Sequence, residues 1–468
     1  MPTPPTFRLL TGGTAPDDVA ALRVALAERL ARRGLLTAHR DQAVVAAAGG
    51  TGEQPTSSFP LLVPIGPGEN PRRVQEDLAR RVCRVPSRTD LVLRTSGSTT
   101  GTGRLIAMSA AALVASARAT HDHLGGPGTW LLPLPSHHVA GLQILIRSLL
   151  AGTAPVMVDT STGFSPTALA DALRSARSVA GPTAGSTTTR LYVSLVPTQL
   201  VRVLRDPTAG RALAEVDAVL LGGAAADPSL LARARRAGIT VVTTYGMSET
   251  GGGCVYDGRP LDGVELAIQD TDADGAGRIL LSGPVLAEGY LRDSDEADPD
   301  PDGTGRAREG FRDTGAGRVL VTSDRGRLRP DGRLEVLGRL DDVIVTGGVK
   351  VEPRYVEEAL TGLETVAEAC VVGLPDEQWG SVVVAAVVCE LATGQEGSGS
   401  SDGRSRPDGA ALREAIRDRL DGAHAPKRVV ILEALPLRPS GKVDRRAVAR
   451  LFAAATADEA TESPTPGP

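Results

Sequence analysis

Three segments of this 468-residue chain gather residue types that act on phosphates. The first is Thr95–Arg104, TSGSTTGTGR, behind the apolar run Leu91–Leu93. Small residues let backbone N–H groups approach an anion. Ser96, Ser98, Thr99, Thr100 and Thr102 add hydroxyl donors, Gly97, Gly101 and Gly103 add freedom to wrap, and Arg104 adds a cation. The same composition makes an ordinary flexible turn, because a lone glycine-rich loop is weak evidence. The second segment is Tyr245–Thr250, YGMSET. Glu249 could hold Mg²⁺, which takes one or two carboxylates plus phosphate oxygens, and Ser248 could donate to a phosphate. A helix N-terminus with Ser248 as cap and Glu249 in the first turn fits equally well. The third is Ser440–Arg446, SGKVDRR. A lysine in a glycine turn is a mobile point charge; it also reads as an exposed turn residue. Lysine occurs only at Lys350, Lys427 and Lys442, so each lysine carries more information than usual.

The elements around these segments predict an α/β fold. Val19–Arg33 has helical apolar spacing, and Asp90–Arg94, Ala218–Leu221 and Ile239–Thr243 read as strands that each stop at a glycine turn. Such turns gather along one sheet edge, where ligands bind. The reading gives a large N-terminal domain of mixed sheets flanked by helices, residues 1–338. Asp293–Gly317 reads as a surface loop, followed by strands Gly326–Arg329 and Arg333–Leu337 joined by a Pro-Asp-Gly turn. A polar break at 339–342 is the expected hinge. A small mobile α+β domain follows over 343–455, with helices Glu352–Leu360 and Ala410–Leu420 and strands Ala369–Gly373 and Val382–Cys389. Gly394–Gly409 and the tail 456–468 read as disordered.

Composition narrows the class. A net charge of −5 gives no electrostatic case for nucleic acid or an anionic membrane. The cysteines, Cys83, Cys254, Cys370 and Cys389, have no metal-ligand spacing and read as reduced thiols of a cytoplasmic protein. No signal peptide is expected from MPTPPTFRLL. The longest apolar run, Gly141–Leu150, is too short for a membrane span and contains Arg147.

In order and spacing, the chemical segments resemble the adenylate-forming superfamily of acyl-CoA synthetases, peptide-synthetase adenylation domains and luciferases. The resemblance runs from about Asp90 to Arg446. It makes Thr95–Arg104 the phosphate loop, and it implies ATP contacts at Thr95, Ser96, Gly97, Ser98, Thr99, Thr100, Gly101 and Arg104. Gly222, Gly223 and Ala224 match the adenine-contacting turn. Tyr245, Gly246 and Met247, with Ser248 and Glu249, match a Tyr-Gly-x-Thr-Glu motif. Asp324 matches the ribose-gripping aspartate, Arg339 and Asp341 the hinge, and Lys442 the catalytic lysine. The resemblance implies that Lys442, Ser248 and Glu249 are catalytic and that Glu249 holds Mg²⁺. It further implies that rotation about Asp341 exchanges Lys442 for Gly347 and Gly348, which would line a pantetheine tunnel. This chain departs from the pattern in several places. The loop has an extra threonine and ends in Gly103-Arg104 instead of Pro-Lys. Ser248 replaces Thr, Ser323 replaces Gly, and Val345 stands where Lys is common.

Residues 131–152, 192–200 and 244–266 resemble the branch of that superfamily that joins 2-succinylbenzoate to coenzyme A in menaquinone biosynthesis. His138 matches a histidine near the acyl pocket; it also reads as a core histidine. Ser194, Gly252 and Gly253 match positions lining that pocket. Arg147 would meet the substrate's second, ring carboxylate. Alternatively Gln143 and Arg147, four apart, form the solvated stripe of a helix. The implied partners are 2-succinylbenzoate, ATP and coenzyme A, with Mg²⁺ as cofactor. Another aryl or short-acyl acid, or a carrier protein in place of coenzyme A, are the alternatives. A homodimer is compatible with the sequence.

Overall fold

The computed structural model describes residues 5–36, 59–82, 84–95, 103–160, 162–179, 190–291, 310–315, 317–389, 408–417, 419–438 and 441–461. The chain clusters into two compact units. The first comprises Met1–Ala226, Leu231–Thr322 and Leu328–Glu335, and the second Asp227–Leu230, Ser323–Arg327 and Val336–Pro468. The expected α/β class holds: mixed sheets are covered by helices in the first unit, and the second is a smaller α+β body.

One sheet of the first unit runs in the order Phe7–Thr11, Leu61–Ile65, Leu91–Arg94, Leu105–Met108, Gly289–Leu291. The helix Pro71–Arg81 starts where Asn70 accepts hydrogen bonds from the backbone N–H of Arg72 and Arg73 and Pro71 presets the first turn. Its Val74 and Leu78 are buried against Val63, Ile65 and Val92. Asp90 anchors the central strand. Its Oδ1 accepts from Arg29 (3.2 Å) and Arg33 (2.9 Å), and its Oδ2 from the Ala110 N–H (2.9 Å). Two helices are thereby tied to the strand that leads into Thr95.

The second sheet has the order Arg259–Pro260, Gly252–Tyr256, Val241–Met247, Ala218–Leu221, Arg190–Leu195, Gly128–Leu132, Val156–Met157. Its inner strands are parallel, and Ala218–Leu221 at the centre of the sheet is a buried apolar run, as expected of a strand covered on both faces. The helix Val139–Ala151 is buried from Gly141 to Leu149 and ends at Gly152 in the left-handed conformation. The apolar run Gly141–Leu150 is therefore a core helix.

Local composition misleads in places. The strand read over Ile239–Thr243 with a turn at Tyr245-Gly246 instead runs Val241–Met247, through that dipeptide, because Gly252–Tyr256 pairs alongside it. Within the Asp/Pro/Gly-rich stretch Asp293–Gly317, Gly310–Thr314 is a strand paired with Gly317–Leu328; residues 292–309 lie outside the described residues. Pairing with a long neighbour overrides weak local propensity.

In the second unit the sheet Val366–Asp376, Gly380–Cys389, Arg428–Leu432 carries the helix Pro353–Thr361. Val356, Leu360, Leu412 and Ile416 fill the core beneath it. The helix Arg445–Thr461 extends into the stretch read as tail, whose ATADEAT is rich in strong helix formers. Residues 394–407 lie outside the described residues. Among the described residues, no helix is long and apolar enough to cross a membrane.

Candidate functional site

The sequence-predicted nucleotide residues of the first unit fall where strands end. Gly222, Gly223 and Ala224 follow Ala218–Leu221, and Tyr245, Gly246 and Met247 close Val241–Met247. These parallel neighbours deliver both turns to one edge of the sheet. Gly246 faces Gly253 across the antiparallel pair, and a Cβ on Gly246 would lie 2.2 Å from the Gly252 carbonyl oxygen. That approach requires glycine at 246, and Gly251 ends the following 3₁₀ turn in the left-handed conformation. Ser248 does not cap a helix: Ser248–Thr250 is a single 3₁₀ turn after Met247.

Thr95 and Arg104 close a hairpin between antiparallel strands. The Thr95 N–H donates to the Arg104 carbonyl (3.0 Å) and the Arg104 N–H to Thr95 Oγ1 (2.8 Å). Ser96, Gly97, Ser98, Thr99, Thr100 and Gly101 lie outside the described residues. Glu249 is buried, and its carboxylate Oε1 accepts from the Tyr290 hydroxyl (2.8 Å). Arg104 Nη1 donates to that hydroxyl (3.3 Å). Tyr290 was not foreseen; it lies 41 residues from Glu249 and belongs to none of the sequence motifs.

His138 precedes the helix Val139–Ala151, with its ring 4.2 Å from that of His137. His137 is held below the usual imidazole range by burial, against the opposing pull of Glu69. Glu69 in turn accepts from the Gly66 N–H (2.7 Å) and pairs with Arg94, the residue before Thr95. Ser194 is buried in Arg190–Leu195. Gln143 Nε2 donates to the carbonyls of Gly251 (2.6 Å) and Leu113 (3.2 Å), which clamps the turn behind Glu249 to the helix Ala110–His123. Gly252 packs on that same side chain: a Cβ there would lie 3.3 Å from Gln143 Cγ.

The solvated-stripe alternative fails. Gln143 is 1% exposed and Arg147 4%. Arg147 Nη2 donates to the Tyr256 hydroxyl (3.3 Å), and its guanidinium lies 4.8 Å from the Trp130 ring centre. Thr120 commits its proton to the Ser116 carbonyl, so Tyr256 donates to Thr120 Oγ1 (3.0 Å). Burial, and then the Arg147 charge, push His121 down to about 4. The unfolded chain takes up this proton near pH 6.5. The neutral imidazole's contribution to stability is thus present above about pH 6.5 and is lost as pH falls toward 4. Denaturant midpoints should drop across that window and drop less in His121→Gln. Equal pH slopes would show that His121 protonates freely in the folded protein.

Within the second unit, Arg339 Nη2 donates to Ser323 Oγ and pairs with Asp341 (2.7 Å). Asp341, Asp324 and Asp342 raise the Arg339 guanidinium further above its ordinary range, against burial, which lowers it. Gly347 and Gly348 form the two-residue turn between Ile344–Thr346 and Val349–Val351, with φ of 55° and 81°. A Cβ on Gly347 would lie 2.6 Å from the Trp379 ring. Lys442 is exposed on a tight turn: its carbonyl accepts from the Arg438 N–H (2.8 Å), and Leu437 bridges Val443. Three residues on, Arg445 pairs with both carboxylate oxygens of Glu357 (2.7 and 3.0 Å) and donates to the Val371 carbonyl (2.6 Å). This fork anchors the lysine turn to the domain core.

The AMP-binding enzyme family matches residues 35–291, and the AMP-binding enzyme C-terminal domain matches residues 355–442. A Mycobacterium tuberculosis protein named "probable 2-succinylbenzoate–CoA ligase" is 43% identical over 401 residues, covering 85% of this chain and 90% of its own. The 2-succinylbenzoate–CoA ligase of Lactococcus lactis is 27% identical, covering 77% of this chain and 71% of its own. The o-succinylbenzoate CoA synthetase of Bacillus subtilis, solved in complex with its acyl-adenylate intermediate, shares the fold. Its TM-score is 0.62 at 22% identity, with 96% of each chain covered.

Proposed function

Because the chain belongs to the AMP-binding enzyme family, we propose that it ligates 2-succinylbenzoate to coenzyme A through an acyl-adenylate, giving 2-succinylbenzoyl-CoA for menaquinone biosynthesis. The observation that carries the substrate is the 43% identity to the mycobacterial ligase over 85% of this chain. In the first half-reaction a carboxylate oxygen of the acid attacks the α-phosphorus of ATP, and the bond to the bridging oxygen breaks as pyrophosphate leaves. In the second the thiol sulfur of coenzyme A attacks the acyl carbonyl and AMP leaves with the bonding pair.

The residues take distinct parts. Thr95–Arg104 wraps the phosphates with Ser248 beside them. Gly222, Gly223, Ala224, Tyr245, Gly246 and Met247 hold the adenine end, and Asp324 with Arg339 holds the ribose. Glu249 fits a Mg²⁺ ligand: it is a buried hard oxygen donor, oriented by Tyr290 and following a strand end. When bound, that ion neutralises charge on the phosphates. His138, Ser194, Gly252 and Gly253 shape the acyl pocket. Lys442 stabilises charge in the first half-reaction, and rotation at Asp341 then brings Gly347 and Gly348 to the pantetheine.

A substrate panel tests the reading. Pyrophosphate release and acyl-CoA formation should both be greatest with 2-succinylbenzoate, compared with benzoate, succinate and medium-chain acids. AMP release that needs a carrier protein in place of coenzyme A would replace the proposal with a stand-alone adenylation enzyme.

A further inference from the structure

We propose that Tyr290 is a positioning residue that couples the cation of the phosphate loop to the Mg²⁺-binding carboxylate; the inference rests on the role assigned to Glu249 above. The strand Gly289–Leu291 pairs antiparallel with Leu105–Met108, which begins directly after Arg104. The register sets Tyr290 opposite Ile106, bringing its phenol to two segments far apart in the chain. Its oxygen accepts from Arg104 Nη1 at 3.3 Å, and its single proton goes to Glu249 Oε1 at 2.8 Å.

Two further contacts stiffen the arrangement. Phe311 meets the Tyr290 ring edge-on at 5.2 Å, and the Arg104 guanidinium lies 5.0 Å from its centre. A planar guanidinium suits an aromatic face, which gives the arginine at the end of this loop a fixed seat. The backbone of Glu249 is held separately, its carbonyl accepting from the Ala287 N–H at 2.8 Å. Main chain and one carboxylate oxygen of Glu249 are thus each held by a partner from outside its own turn. Such outer-shell partners typically contribute about 10–100-fold to metal affinity.

Isothermal titration with ATP, once with Mg²⁺ and once with EDTA, tests this on the wild type and on Tyr290→Phe. The phenylalanine keeps the ring contacts and removes only the hydroxyl. The variant is expected to bind Mg²⁺·ATP about 10–100-fold more weakly, with metal-free ATP binding and melting temperature unchanged. Wild-type affinity for Mg²⁺·ATP in the variant would overturn the proposal. So would an equal loss for metal-free ATP, since Tyr290 would then act on the nucleotide and not through the metal ligand. A wild type whose ATP affinity is indifferent to Mg²⁺ would instead remove the role assigned to Glu249, and this inference with it.

Discussion

Replacing Lys442 with alanine is expected to slow acyl-adenylate formation by about two to three orders of magnitude, the scale of losing one electrostatic stabiliser of a charged transition state. Lys442 is built for such a role. Its turn is closed by Arg438 and by the Leu437–Val443 bridge, and the helix behind it is tied down by the Arg445–Glu357 fork. The side chain itself is exposed and ends in a compact point charge. The expected pattern is therefore asymmetric. Lys442→Ala should lose pyrophosphate release yet still transfer the acyl group from supplied acyl-adenylate to coenzyme A at near wild-type rate. The second half-reaction also reports whether the variant is folded. Equal loss in both half-reactions would show that Lys442 serves both states, and the exchange of Lys442 for Gly347 and Gly348 would fall with it.

Features of the site that were legible from sequence share a physical property: their chemistry is local. Glycines at 222 and 223 announce a turn at a strand end. Lys442 stands out because lysine is nearly absent. Contacts made across the sheets were not legible. Tyr290 reaches Glu249 only because strand pairing lays Gly289–Leu291 beside Leu105–Met108, and no periodicity encodes that register. The helix Val139–Ala151 shows the same limit. Gln143 and Arg147 at a spacing of four obey the rule for a solvated stripe, yet both face packed protein. Gln143 Nε2 donates there to two backbone carbonyls, one of them 108 residues away.

Arg147→Met should separate two accounts of that buried cation. Among the described residues no carboxylate pairs with Arg147; a phenol oxygen and an indole face surround it, and burial lowers its hold on the proton. Taking a guanidinium out of water without an anion costs several kcal/mol by order of magnitude, so the folded protein alone gives little reason to keep the charge. A substrate that brings its own anion does, and 2-succinylbenzoate retains a ring carboxylate after its other carboxyl is activated. Methionine preserves much of the volume and removes the charge. If the charge is held for substrate, Arg147→Met should leave the melting temperature level or raise it, because a site kept for function often costs stability. It should lower kcat/KM for 2-succinylbenzoate by about two orders of magnitude or more, the roughly 2–5 kcal/mol of a buried charge pair losing one partner. An analogue without the ring carboxylate should lose far less, and ATP binding should not change. If both acids lose activity equally and the melting temperature falls, Arg147 holds Tyr256 and Trp130 in place, and the ring carboxylate is bound by another group.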